Sequence, residues 1–231
     1  MFHDRIDAGR VLGRLVKSSV TDEPLIVLAL PRGGVPVGFE VAESLDSATT
    51  AFDIFLVRKL GVPGHEELAF GAIATGGIRV LNHSVIEHEG LSPETIDHIE
   101  RQEQTELERR EHAYREGRPP LDLHDRAVVL VDDGLATGAT MMAAVQAVRL
   151  QGPRRVIVAV PVASREARKE MRAFANEVFC ARVPHPFHSV GCWYTDFDQV
   201  TDRQVRDLLR RFSPPNPVPS STPHTALRTN D

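Results

Sequence analysis

Residues 128–140, Val-Val-Leu-Val-Asp-Asp-Gly-Leu-Ala-Thr-Gly-Ala-Thr, decide the reading of this chain. Four apolar β-formers, Val128 to Val131, read as a buried strand, and two adjacent carboxylates, Asp132 and Asp133, stand at its carboxyl end. A turn of small residues follows, and Met141, Val145 and Val148 then recur at helical spacing. In an open α/β sheet, ligands bind beside the carboxyl ends of the strands. The N–H groups that open the following helix, with the positive end of its dipole, can hold a phosphate there. Thr137 and Thr140 add hydroxyl donors, and Gly138 admits close approach of the backbone. Donors for a phosphate therefore lie beside acceptors for hydroxyl groups, a combination that suits a phosphorylated sugar. The plainer reading is a solvated Asp pair and a capping Thr. It leaves the joint arrival of strand, turn and helix unexplained.

Outward from this stretch, strands alternate with helices. Asp4 to Val16 is expected as an amphipathic helix, Leu25 to Leu30 as a buried strand, and Val35 to Leu45 as a helix. Strands are expected at Asp53 to Val57, Leu68 to Ala74 and Ile78 to Ile86. Ser92 to Glu116 reads as a long charged helix, capped by Ser92, with Ile96, Ile99, Leu107 and Tyr114 on one narrow stripe. Strand Arg155 to Val160, helix Arg165 to Phe174, strand Glu177 to Val183 and a last helix through Val205, Leu208, Leu209 and Phe212 complete the pattern. This is an α/β fold with a mainly parallel central sheet and right-handed crossovers. Residues 1–212 form one domain, and the Pro-, Ser- and Thr-rich residues 213–231 are expected to be a disordered tail.

Bulk properties narrow the function. A net charge of −5 over 231 residues argues against nucleic-acid binding through bulk electrostatics. Cys180 and Cys192 have neither metal-ligand spacing nor a disulfide framework, which fits a reducing cytoplasm. No apolar run is long enough to span a bilayer, so no membrane partner is expected.

Residues 128–140 resemble the phosphoribosyl-pyrophosphate (PRPP) motif of type I phosphoribosyltransferases. That resemblance implies that Asp132 and Asp133 bind the ribose hydroxyls, while Leu135, Ala136, Thr137, Gly138, Ala139 and Thr140 cradle the 5′-phosphate. Leu-Ala-Leu-Pro-Arg-Gly-Gly-Val, residues 28–35, looks like the family's pyrophosphate loop. Arg32 offers a bidentate phosphate donor there, and Gly33 and Gly34 free backbone N–H groups. The family commonly has a cis peptide before this arginine, and Leu30–Pro31 is the candidate bond.

Val57 to Glu67 occupies the place of the family's mobile catalytic loop, which makes Arg58 and Lys59 the cations that stabilise the leaving pyrophosphate. The family also carries a small hood over the acceptor. Residues 184–200 would contribute to it, with Trp193, Tyr194 and Phe197 as candidates to stack on a base; core packing is an equal claim on these rings.

Over residues 1 to about 212 the chain is similar to uncharacterised bacterial phosphoribosyltransferases. The resemblance implies transfer of 5-phosphoribosyl from PRPP to a nitrogen acceptor such as a nucleobase, releasing pyrophosphate with Mg2+ present. The ion would be held mainly by substrate oxygens, with Asp132 and Asp133 as the protein oxygens open to it. A PRPP- or nucleotide-sensing regulator without turnover is the competing expectation, because the fold hosts both. A homodimer is left open.

Overall fold

The computed structural model describes residues 1–20, 24–45 and 49–212, so the expected tail lies outside the described residues. Five parallel strands form the central sheet in the order β2-β1-β6-β7-β8. They are β1 (Leu25–Ala29), β2 (Thr50–Ile54), β6 (Ala127–Val131), β7 (Arg155–Val162) and β8 (Glu177–Arg182). β1 and β6 are buried along their whole length, as unbroken Val/Ile/Leu runs in a two-sided sheet require.

Helices α1 (Arg5–Lys17), α2 (Gly34–Ser44) and α7 (Asp202–Arg211) contribute Leu12, Val16, Val35, Phe39, Val205 and Leu209 to the core on one side of the sheet. Helices α5 (Ala139–Arg149) and α6 (Arg165–Met171) supply Met141, Val145, Val148 and Met171 to the other. From β1 the chain moves to one edge, and from β6 to the other. The gap between the carboxyl ends of β1 and β6 is therefore the switch point where α/β sheets bind ligands.

Four expectations need correction. Asp53 to Val57 is not one strand: β2 ends at Ile54, and β3 (Val57–Val62) begins a separate sheet. The break comes where Phe55 N still donates to Ala29 O, but Leu56 N turns to Thr75 Oγ1. Ile78 to Ile86 is likewise divided into β5 (Ile78–Leu81) and the short helix α3 (His83–His88), because the Asn82 side chain accepts from Val85 N and caps a helix.

The segment 57–67, expected as a mobile loop, is instead an antiparallel hairpin with β4 (His65–Ala74), turning at Pro63-Gly64. The cis bond also falls one position later than expected, at Pro31–Arg32. Leu30 stays in line with the sheet, its N–H donating to Val131 O at 2.9 Å, and the turn starts only at Pro31.

The long helix α4 (Pro93–Arg115) buries Ile96, Leu107 and Tyr114, the expected stripe, against β3, β4 and α7. Near its C-terminus, Arg115 is buried. It pairs with Asp53 and donates to Ile54 O at 2.8 Å, fastening the helix to the end of β2.

The N-terminus pairs with residues 193–196 beside the switch point, where Tyr194 reaches Asp133. Phe2 forms a bridge with Tyr194, and Phe2 N donates to Trp193 O. Thr195 N and Asp196 N return bonds to Phe2 O and His3 O. This clasp joins the N-terminus to the segment 184–200 that the sequence resemblance placed in a hood.

Candidate active site

Asp132 and Asp133 follow directly on β6, and residues 31–34 follow β1, so the two loops face each other across the switch point. The contact is tight. A Cβ at Gly33 would lie 2.0 Å from Asp133 Oδ2, and one at Gly34 would lie 2.8 Å from Val131 O. Glycine is demanded here by close approach rather than by φ. Gly33→Ala should push the Asp133 carboxylate aside and, on the ribose role that the sequence resemblance implies, weaken PRPP binding by roughly tenfold, read by calorimetry. Unchanged affinity would show that the carboxylate is not part of the site.

The acid pair is under electrostatic load. Burial and the neighbouring Asp133 hold the Asp132 carboxyl well above the usual carboxylate range. Burial also raises Asp133, against the opposing pull of Arg5. Asp132 Oδ1 accepts from Asp133 N at 2.8 Å. One cation near two half-buried carboxylates leaves a local deficit of positive charge, which hydroxyl donors or a divalent cation can satisfy.

The turn after the pair is pinned at one end and open at the other. Leu135, an expected cradle residue, is buried; its N–H donates to Val162 O and its carbonyl accepts from Ser164 N. It anchors the loop. Ser164 Oγ also donates to Ala136 O at 2.8 Å while capping α6. Among the described residues, nothing accepts from the N–H groups of Ala136, Thr137, Gly138, Ala139 or Thr140. Gly138 sits at φ 83°, the left-handed conformation that glycine supplies, and starts α5. The result is a run of unpaired donors at a helix N-terminus, suited to an anion.

The expected cations separate. β3 is a strand, so its successive side chains alternate in direction. Arg58 pairs with Glu103 of α4 (2.6 Å from Nε). Lys59 lines a cavity of about 450 Å3 between the second sheet and α5, with Ala139, Met142 and Gln146. Arg32 rests 3.5 Å from Asp202 of α7, itself bonded to the Tyr114 hydroxyl at 2.9 Å. Burial and that bond push the Tyr114 phenol up to about 12.

The aromatic candidates pack against the N-terminus and against one another. Tyr194 is buried, packs near Phe2 and Phe197, and donates to Asp133 O at 2.6 Å. Phe197 lies under the Arg5 guanidinium, 3.8 Å from its ring centroid. Trp193 packs against the Phe2 cluster. Sequence reasoning missed Arg5, Ser164 and the Tyr194 hydroxyl contact. Ser164 carried a local signal as a capping serine; Arg5 carried none. Among the described residues, no three His, Cys, Asp or Glu side chains are grouped to hold a metal ion.

The acid pair and the turn with unpaired N–H groups stand together at the switch point of a parallel sheet. The family model for the phosphoribosyl transferase domain matches residues 4–194, and the chain belongs to that family. It is 44% identical over 211 residues to proteins of two Mycobacterium tuberculosis strains, named "Putative phosphoribosyl transferase MT0597" and "Putative phosphoribosyl transferase Rv0571c". That match covers 91% of this chain and 47% of each relative, so the chain spans about half their length. The crystal structure of TT1426 from Thermus thermophilus is similar at 42% identity with a TM-score of 0.83, over 92% of this chain and 99% of that one. Among the described residues no helix is long and apolar enough to cross a membrane.

Proposed function

We propose that this chain transfers the 5-phosphoribosyl group of PRPP to a nitrogen acceptor, releasing pyrophosphate. The observation that carries this reading is the placement of the Asp132–Asp133 pair and the free N–H ring of residues 136–140 at one crevice. The ring holds the 5′-phosphate, remote from the reacting carbon, and the acid pair takes the ribose hydroxyls. Gripping both ends fixes the direction in which the anomeric carbon faces. The bond from that carbon to the pyrophosphate oxygen breaks, with the electron pair leaving on oxygen. The acceptor nitrogen lone pair forms the new bond, and its proton is released.

Arg32 and Lys59 are the cations we assign to the departing pyrophosphate. Arg32 must exchange its long contact with Asp202 to do so. Arg58, held by Glu103, supports the hairpin rather than the leaving group in this arrangement. The donor set is all oxygen, and it fits Mg2+ held mainly by PRPP and water with one carboxylate from the acid pair. The bound ion would neutralise charge developing on pyrophosphate.

Labelled PRPP incubated with a panel of nucleobases, scored for pyrophosphate release, tests the reaction. Lys59→Ala should lower turnover on the order of a hundredfold while changing the PRPP dissociation constant less than about threefold. Equal losses would assign Lys59 to binding alone. The pairing of Arg58 away from the crevice favours a second reading, PRPP binding without turnover. PRPP binding with no pyrophosphate release across the panel would select it.

A further inference from the structure

Arg5 is the first residue of α1, yet its side chain reaches the acid pair, far along the chain at the end of β6. Nε and one terminal nitrogen approach Asp133 Oδ2 at 2.9 and 2.8 Å. The other terminal nitrogen donates to Asp198 O at 2.7 Å, and the guanidinium lies over the Phe197 ring. With only 11% of its side chain exposed, Arg5 is fixed by four engagements rather than free to swing. All of its contact with Asp133 falls on one oxygen. Gly33 crowds that same oxygen, and Tyr194 holds the Asp133 carbonyl. Among the described residues, no other side chain donates to the Asp133 carboxylate, so Oδ1 has no side-chain partner.

We propose that Arg5 is a positioning residue for sugar selection: by pinning Oδ2 of Asp133, it presents Oδ1 to accept a hydroxyl of the 2,3-diol of a ribose 5-phosphate ester. This rests on the ribose assignment given above and adds the source of its selectivity. The clasp between residues 2–3 and 193–196 lies next to Arg5 in the chain and fixes where its backbone stands. A carboxylate fixed in one rotamer loses no side-chain freedom when the diol arrives, so a diol gains over a deoxy sugar. Without Arg5 the carboxylate can turn, and that advantage disappears.

The test is calorimetric titration of the full chain with ribose 5-phosphate, 2-deoxyribose 5-phosphate and inorganic phosphate. The unchanged protein should prefer ribose 5-phosphate by roughly tenfold, one hydrogen bond to a charged group. Arg5→Ala should reduce that preference to less than about twofold while leaving inorganic phosphate affinity unchanged, and Arg5→Lys should restore part of it. Loss of phosphate affinity in Arg5→Ala would indicate collapse of the whole site and overturn the proposal. Retained preference would overturn it alone, leaving the ribose assignment intact. Tighter sugar binding by Arg5→Ala would make Arg5 a competitor and also overturn it. No preference in the unchanged protein would overturn both readings together.

Discussion

Asp132→Asn binds PRPP about a hundredfold more weakly and yet melts at a higher temperature than the unchanged chain; this is the result we expect. The binding loss follows from the role proposed for this carboxylate, an acceptor of ribose hydroxyls. The stability gain follows from the position of the carboxylate. Burial and the adjacent Asp133 raise its pKa in the folded state above the ordinary value. The folded state therefore disfavours the ionised form. This group's contribution to stability is fully present at low pH and is lost as pH rises through the folded value. Asparagine carries no charge at any pH and still offers an oxygen to Asp133 N, a bond of 2.8 Å in the structure. The gain in Tm should be present at pH 7 and fade toward pH 4. Asp132→Asn with Asp133→Asn should abolish PRPP binding measurable by calorimetry. Persistent binding by the double variant would remove the ribose assignment.

The second large effect concerns stability. Arg115→Ala leaves Asp53 buried without its cation and removes the bond to Ile54 O. Breaking one side of a buried pair costs about 3–5 kcal/mol, a fall in Tm on the order of 10 °C for a chain of this size. Desolvation already raises Asp53 despite Arg115. In the variant its pKa rises further, so protonation relieves part of the loss at acid pH. Destabilisation measured in urea should be larger at pH 8 than at pH 5. Pairing Arg115→Met with Asp53→Asn should recover part of the loss, because no uncompensated charge remains. A single-variant loss below about 1 kcal/mol would show that this pair is not a main fastening of α4.

These two variants lie on different sides of what the sequence disclosed. Asp132 was legible: an apolar run, two carboxylates, a glycine-containing turn and a helix lie within one short segment. Each piece follows from local preference, and so does their order. The Asp53–Arg115 pair links residues 62 positions apart, and neither end has a local signal. The hairpin was misread for a related reason. Val57 to Glu67 holds Pro63 and two glycines, Gly61 and Gly64, a composition that reads as a loop. Pairing with Ala69, Gly71 and Ala72 across β4 converts it to sheet, and the resulting alternation sends Arg58 to Glu103 and Lys59 to the cavity by α5. Adjacent cations in sequence thus end in different surroundings.

The sequence by itself determined the α/β architecture, the buried strands β1 and β6, the two loops at the switch point and the carboxylates that stand there. These depend on short-range periodicity and on residue types that a turn or a strand end demands. Only the tertiary structure decided that Leu135 anchors its loop instead of facing the crevice, that the Tyr194 hydroxyl donates to Asp133 O, and that Arg5 reaches Asp133 across 128 positions. The reason is physical: a side chain's partner is chosen by what packing brings within a few ångströms, and local pattern carries no record of that choice.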